Sequence, residues 1–276
     1  MNTNFEKEEE KDVGNLAIFI LEQLDLELNE KKLEIPENNS ELNSEDKNIM
    51  KNNFHKELLN NNSIIYNTFF GGVCEIVEEC KACKEECDLK KLENKKIYEY
   101  RNLNYFMFPV SEVYKLAQKN NSKEFINIYD CLNFFQSPAI LDGENGKNCE
   151  KCGKITTFLL TAKIDSCQNN LLIILNRDFQ KDKNIKFQFD ESLDMTDYVI
   201  EKKVKLIYNL YGIIFLSENE EIHYVAFCKN LSENIWYKCD DNIVESVKNL
   251  DNDIFNFGIP VALFYQKELN YDEYEK

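Results

Sequence analysis

No stretch of this chain is apolar for long enough to span a bilayer, and its Glu- and Lys-rich beginning has no signal-peptide core. An intracellular protein, cytoplasmic or nuclear, is therefore expected. Basic charge is scarce, with 33 Lys and Arg against 50 Asp and Glu, a formal net charge of -17. Nucleic acid and anionic membrane would be repelled rather than steered inward, so neither is expected as a partner and a basic partner suits the chain better. Histidine is nearly absent, with only His55 and His223. What is plentiful is apolar: 43% of 276 residues, including 19 Phe and 14 Tyr, is enough for a sizeable core. Ten cysteines complete the inventory, and in a reducing compartment clustered cysteines are more often metal ligands than disulfides.

Residues 12–29 carry Leu16, Ile20, Leu24 and Leu28 on one face, with Phe19 beside them, which predicts an amphipathic helix packed through that stripe. Residues 30–62 turn polar, rich in Asn, Glu and Lys, and read as a flexible insertion without structure in which His55 is solvated. From Ser63 onward, short apolar or alternating runs between polar turns predict antiparallel strands. One runs over 97–110 and ends at Pro109, followed by a helix over 111–119 that Ser111 would N-cap. Residues 126–135 have helical spacing, and further strands are expected at 155–164, 170–175, 205–216, 222–228, 234–238 and 259–266. The class is α+β with strands dominant.

Cys80 and Cys83 form one C-x-x-C pair and Cys149 and Cys152 a second, far along the chain. Two such knuckles supply the four thiolates of a tetrahedral structural zinc site, and Gly153 suits the tight turn of the second. Free thiols in two unrelated loops, or a redox pair, are the alternatives. A redox C-x-x-C normally comes singly and between a strand and a helix, a context that the sequence does not suggest here, which favours Zn2+. Cys87 is a near neighbour that competes as a ligand. The acidic flanks of these cysteines argue against a phosphate-binding surface. Cys74, Cys131, Cys167, Cys228 and Cys239 are by default buried thiols acting as small hydrophobes.

His223 opens a strand, HYVAF, and the next strand reads WYKCDD, with Trp236 and Tyr237 a few residues before Asp240 and Asp241. A hairpin of the two lays a carboxylate beside the imidazole. One ring nitrogen would then donate to that carboxylate and the other would be free to take a proton from a nucleophile, the logic of a Cys-His-Asp hydrolase. Alone, the histidine would read as structural and the aspartates as an ordinary turn.

Together these residues resemble the ubiquitin-specific proteases, a family of papain-like cysteine proteases. The family's Gly-His-Tyr box is matched by Ile222, His223 and Tyr224, and its W-Y-x-F-D-D box by the run from Trp236 to Asp241. Its Leu-Asp-Gly before the second knuckle is Leu141, Asp142 and Gly143, and its closing Leu-Phe-Tyr is Leu263, Phe264 and Tyr265. Leu-Lys-Arg-Phe resembles Leu175, Asn176, Arg177 and Phe179 with Asp178 inserted, and the first helix keeps Asp12 of the family's D-A-x-E-F segment.

The resemblance implies a hand-like fold: a partial catalytic domain over 1–276, with 12–29 a helix of the thumb and palm region, 63–165 zinc-ribbon fingers and 166–276 a palm. It implies ubiquitin or a ubiquitinated protein as partner, His223 as general base, Asp240 as its orienting carboxylate with Asp241 adjacent, and Cys80, Cys83, Cys149 and Cys152 as structural zinc ligands. The departures are specific. The family's G-N-T-C-Y-like run, which carries the nucleophile, would fall before Asp12, and Ile222 stands in place of a glycine. Cys74 follows a strand leading into the fingers, far from the histidine in the family fold, which argues against it as a substitute. The expectations are a cysteine-type deubiquitinase whose hydrolysis needs a further N-terminal segment or, alternatively, a pseudoprotease that binds ubiquitin or serves as a scaffold.

Overall fold

A computed structural model describes residues 13–29, 40–41, 44–58, 63–90, 96–121, 124–178, 181–202, 204–217, 223–248 and 254–268. In chain order, helix α1 (Val13–Leu28), a short strand β1 (Ser40–Glu41) and helix α2 (Ser44–Leu58) precede a π-helical turn at Tyr66–Phe70. Then come β2 (Gly72–Cys80), α3 (Lys81–Lys90), β3 (Ile97–Leu103), β4 (Phe106–Pro109), α4 (Val110–Asn121), β5 (Phe125–Asn127) and α5 (Ile128–Gln136). The small strands β6 (Ala139–Leu141), β7 (Lys147–Cys149) and β8 (Lys154–Thr156) lead to the long β9 (Phe158–Ser166) and β10 (Asn170–Asn176). Last are β11 (Lys186–Gln188), β12 (Ser192–Asp194), β13 (Ile207–Leu216), β14 (Tyr224–Asn230), β15 (Ile235–Asp240), β16 (Ile243–Ser246) and β17 (Ile259–Lys267).

Two sheets organise these elements. One has the order β1-β3-β2-β9-β6; the other runs β16-β15-β14-β13-β17-β10-β4, with β12 also on β13. Pairing is antiparallel apart from β4 on β10 and β5 on β11, so the α+β class with dominant strands is the one observed. The main core includes Cys74 and Ile164 of the first sheet, Leu171, Phe215 and Phe227 of the second, and Val113 and Leu132 of α4 and α5. Strand β10 explains itself from its sequence, NLLIILN. Leu171, Ile173 and Leu175 enter this core while Leu172 and Ile174 meet Ile18 of α1, and a strand covered on both faces has no polar alternation. Strand β14 has one covered face, so Val225 and Phe227 are buried and Cys228 is exposed.

The structure corrects several expectations. Within 30–62, residues 44–58 form a docked helix. Met50, Phe54 and Leu58 follow each other at four-residue spacing and pack on Tyr66, Phe70, Val73 and Tyr100. The same helix aligns Lys47, Lys51 and His55 against two buried carboxylates: Lys47 Nζ lies 2.8 Å from Glu75, and Lys51 Nζ and His55 Nε2 lie 2.7 and 2.8 Å from Asp165. His55 is thus hydrogen-bonded to a buried carboxylate, not a solvated side chain. Low mean hydropathy concealed a complete apolar stripe.

Helix α1 buries Gly14 and Ile18 and packs on the sheet through Ala17, Ile18 and Leu21, leaving Ile20, Leu24 and Leu28 exposed. The expected strand over 97–110 breaks between Leu103 and Phe106 as the chain leaves one sheet for the other. Helix α4 begins at Val110, directly after Pro109, so Ser111 lies inside it and its hydroxyl donates to Asp182 instead of capping. The true cap in this region is Asn127, which accepts from the Asp130 amide in a capping box on α5. The expected strand over 155–164 is divided at Thr157. Of the cysteines read as buried thiols, Cys74 and Cys131 are buried, Cys167 and Cys239 half-buried, and Cys228 exposed.

Candidate active site and metal centre

The metal centre begins at the two ends of chain that the knuckles occupy. Cys80 ends β2 and Cys83 lies in the first turn of α3, so the first pair does stand between a strand and a helix, contrary to the expectation. What argues against a lone redox pair is the second: Cys149 ends β7 and Cys152 lies in the turn to β8. Gly153 adopts φ +66° in that turn, where its amide donates to Cys149 O at 2.7 Å. All four Sγ atoms lie within 4.8 Å of one another, and Cys83 Sγ is 3.7 Å from Cys149 Sγ. Tetrahedral zinc with bonds of about 2.3 Å places its sulfurs about 3.8 Å apart, so the spacing fits the ion and is far too long for a disulfide.

These thiols differ in how readily they ionise. Burial pushes the Cys80 and Cys83 thiols up, whereas at Cys149 the N–H groups of Cys152 and Lys151, with the Cys80 and Cys83 thiols, outweigh burial and bring it down to about 7. Four thiolates this close need a positive charge to coexist. Phe158 closes the cluster from the sheet side. The Cys87 side chain lies outside the described residues.

The second constellation lies at the end of the eight-stranded sheet. Strands β14 and β15 pair from Ala226↔Cys239 to Asn230↔Ile235, which brings the residue before β14 beside the end of β15. His223 O accepts from Ser217 N at 2.8 Å, fixing the backbone there, and His223 Nε2 is 2.6 Å from Asp240 Oδ1. Asp240 is set from below. Residues alternate along β15, so Trp236, Lys238 and Asp240 share one face; Trp236 is buried in the core, and Lys238 Nζ reaches Asp240 Oδ2 at 2.9 Å. Asp241 follows with a left-handed backbone, φ +51°.

An imidazole donating from Nε2 to a carboxylate keeps Nδ1 as a proton acceptor. The hydrogen bond to Asp240 holds His223 above its ordinary pKa against partial desolvation, and Lys238 and His223 hold Asp240 below its own. Although one donor atom from each of His223, Asp240 and Asp241 falls within 4.8 Å of the others, the His223 and Asp240 atoms are already engaged with each other and with Lys238. The trio reads as a hydrogen-bonded pair with a neighbour and not as a metal site. A cavity of about 550 Å3 has Phe257, Arg177, Phe187, Phe189 and Pro260 among its walls, within the size range of ligand clefts.

The structure therefore brings His223 together with Asp240 and the four predicted thiols with one another. It adds Lys238, which sequence reasoning passed over although period-2 alternation from Asp240 points to it. It also shows a second His-Asp pair, His55 with Asp165, and exposure separates the two: the Asp165 carboxylate is 2% exposed and Asp240 29%. The first ties α2 to β9 through a buried carboxylate, whereas in the second both members are accessible. Cys74 is buried in the other sheet and its thiol is pushed up to about 11 by that burial, the wrong direction for a nucleophile. Asp12, Phe179 and Ile222 lie outside the described residues.

The family profile of the ubiquitin carboxyl-terminal hydrolases matches residues 1–265. The chain belongs to that family. Among curated ubiquitin carboxyl-terminal hydrolases it is similar to number 16 of Arabidopsis thaliana, 36% identical over 124 residues covering 42% of this chain and 12% of that protein. Number 25 of the same plant is 30% identical over 197 residues, 68% of this chain and 26% of that protein. Number 12 of Saccharomyces cerevisiae is 29% identical over 163 residues, 54% of this chain and 13% of that protein. The chain thus spans about a quarter or less of these relatives. Among solved structures, the SAGA Ubp8/Sgf11/Sus1/Sgf73 DUB module shares its fold, with a TM-score of 0.62, 20% identity, and coverage of 95% of this chain and 51% of that one.

Proposed function

We propose that this ubiquitin carboxyl-terminal hydrolase family chain forms fingers over 63–165 and a palm over 166–276, and that it serves cysteine-dependent cleavage of the isopeptide bond after the C-terminal glycine of ubiquitin. The observation that carries the reading is the 2.6 Å contact between His223 Nε2 and Asp240 Oδ1 at an accessible sheet end. His223 Nδ1 takes the proton of a cysteine thiol supplied by a segment outside these 276 residues. The thiolate attacks the glycine carbonyl, and the imidazolium returns the proton to the leaving lysine amine. Water, deprotonated by the same nitrogen, then releases the acyl group. Asp240 keeps the ring oriented and stabilises its charged form.

Cys80, Cys83, Cys149 and Cys152 would hold a structural Zn2+ that fixes the far end of the fingers; the ion takes no part in the chemistry. The acidic surface favours a partner with a basic tail. Thiols without disulfides among the described cysteines accord with an intracellular setting.

The test is hydrolysis of a ubiquitin C-terminal fluorogenic amide by the full-length protein as the cell makes it. His223→Ala lowers turnover by at least about 10³-fold, with a smaller loss for Asp240→Asn. A wild type that ignores ubiquitin C-terminal electrophiles yet binds ubiquitin would instead be a binding module. One that does neither overturns the assignment.

A further inference from the structure

The pair at the end of β15 is held by more than its two members. Lys238 lies two residues before Asp240 on the same face, and its ammonium does two things: it reaches Asp240 Oδ2 at 2.9 Å and it stands over the Phe257 ring, 5.2 Å from the centroid. Phe257 is itself fixed edge-on against Phe215 and Phe227, with centroids 5.5 and 5.0 Å away. The residue after it is Gly258, where an added Cβ would stand 2.7 Å from Leu216 O, so only glycine lets this segment close on β13. A rigid aromatic cluster in the main core thus ends in a ring face that seats one cation, and that cation grips the carboxylate of the pair.

We propose that Lys238 is a positioning residue of the His223–Asp240 pair: seated on Phe257, it fixes the second oxygen of Asp240 so that the first faces the imidazole, and it offsets part of the negative charge there. The role rests on the reading of His223 as general base. Among the described residues, the charged groups that act on His223 are Asp240, Asp241 and Lys238. Without the lysine, the two carboxylates would hold the ring proton more tightly, and a protonated ring accepts nothing from a thiol. With the lysine present, the aspartate still orients the ring while its pull on the ring proton is partly offset. An ammonium pinned by a ring suits this better than a freely solvated one, because the carboxylate it holds cannot swing.

The chain has two histidines, so NMR titration of their ring C–H signals in the 276-residue chain tests the idea without ubiquitin or turnover. Lys238→Gln shifts the His223 midpoint upward and leaves His55, tied to Asp165 in the other sheet, where it was. Lys238→Arg, which keeps the charge, stays close to wild type. Phe257→Leu removes the seat but not the charge and moves His223 upward by less than Lys238→Gln does. A His223 midpoint that stays or falls in Lys238→Gln while His55 is unchanged overturns the proposal. If Lys238→Gln disturbs His55 as well, Phe257→Leu decides, and an unmoved His223 there overturns it equally. Because no step requires hydrolysis, a chain that never cleaves ubiquitin can still support or refute the role of Lys238.

Discussion

Replacing Phe54 with alanine separates a docked α2 from a flexible insertion. Phe54 is buried among Met50, Leu58, Tyr66, Phe70, Val73 and Tyr100, with its ring 6.2 Å from that of Tyr100. Deleting a buried Phe ring costs about 3–5 kcal/mol where the surroundings cannot collapse. This cluster lies outside the main core, and α2 can release as a unit, so the lower end, about 3 kcal/mol, applies. At about 1.4 kcal/mol per decade, the α2 amides should exchange with deuterium about 10²-fold faster in Phe54→Ala, with β13 and β17 little changed. Hydrogen exchange resolved by segment is the assay. If the wild-type amides of 44–58 already exchange at unprotected rates, or the variant accelerates them less than about threefold, the docked helix is wrong and these residues are a loose insertion after all.

Two further outcomes follow from other parts of the fold. The purified chain should carry one zinc per molecule by mass spectrometry of the intact protein under native conditions, and Cys149→Ser should lose the ion and unfold the β7–β8 hairpin; a metal-free wild type with all four thiols reactive would contradict the ligand set. At Asp165, burial opposes ionisation, but the hydrogen bonds and charges of His55 and Lys51 outweigh it and the carboxyl sits below its ordinary value. A depressed folded value means that its contribution to α2 docking is present above the unfolded value of about 3.9 and fades as pH falls through the folded one. Protection of α2 should therefore hold at pH 5 and decline only in stronger acid, and Asp165→Asn should remove that step.

What the sequence disclosed and what it hid follow from the range over which each feature is encoded. The His223–Asp240 pair is written at the ends of two consecutive strands, and hairpin pairing needs only alternation and a turn, so the sequence alone joins the two residues. The thiol pairs are far apart in sequence, yet each knuckle is local and its chemistry limits what it can do. Helix α2 fails on both counts. Met50, Phe54 and Leu58 are three apolar residues diluted by Asn, Lys and Glu, and their value comes wholly from Tyr66, Phe70 and Tyr100 on other elements. Helix α3 was hidden because a C-x-x-C pair suggests a turn. At α1 the apolar residues go almost all the way round, so the stripe through Leu16, Ile20, Leu24 and Leu28 was one of two available, and the sheet takes the other, through Ala17, Ile18 and Leu21.

The two histidine–aspartate pairs show why proximity alone does not make a general base. His55 and Asp165 are as well matched in distance as His223 and Asp240, 2.8 against 2.6 Å. Asp165 is buried, however, and shares its charge with Lys51, which itself pairs with Glu201, so the imidazole belongs to a closed ionic network joining a helix to a sheet. Asp240 lies at the last residue of its strand, where the sheet ends and the chain turns through a left-handed Asp241, and its lysine approaches from the core side. Strand ends are where a sheet can hold side chains rigidly while exposing them, because the backbone behind is paired and the space in front is open. Period-2 alternation fixes which residues share that face, so Trp236 anchors, Lys238 restrains and Asp240 presents the carboxylate, three tasks set by one spacing along a six-residue strand.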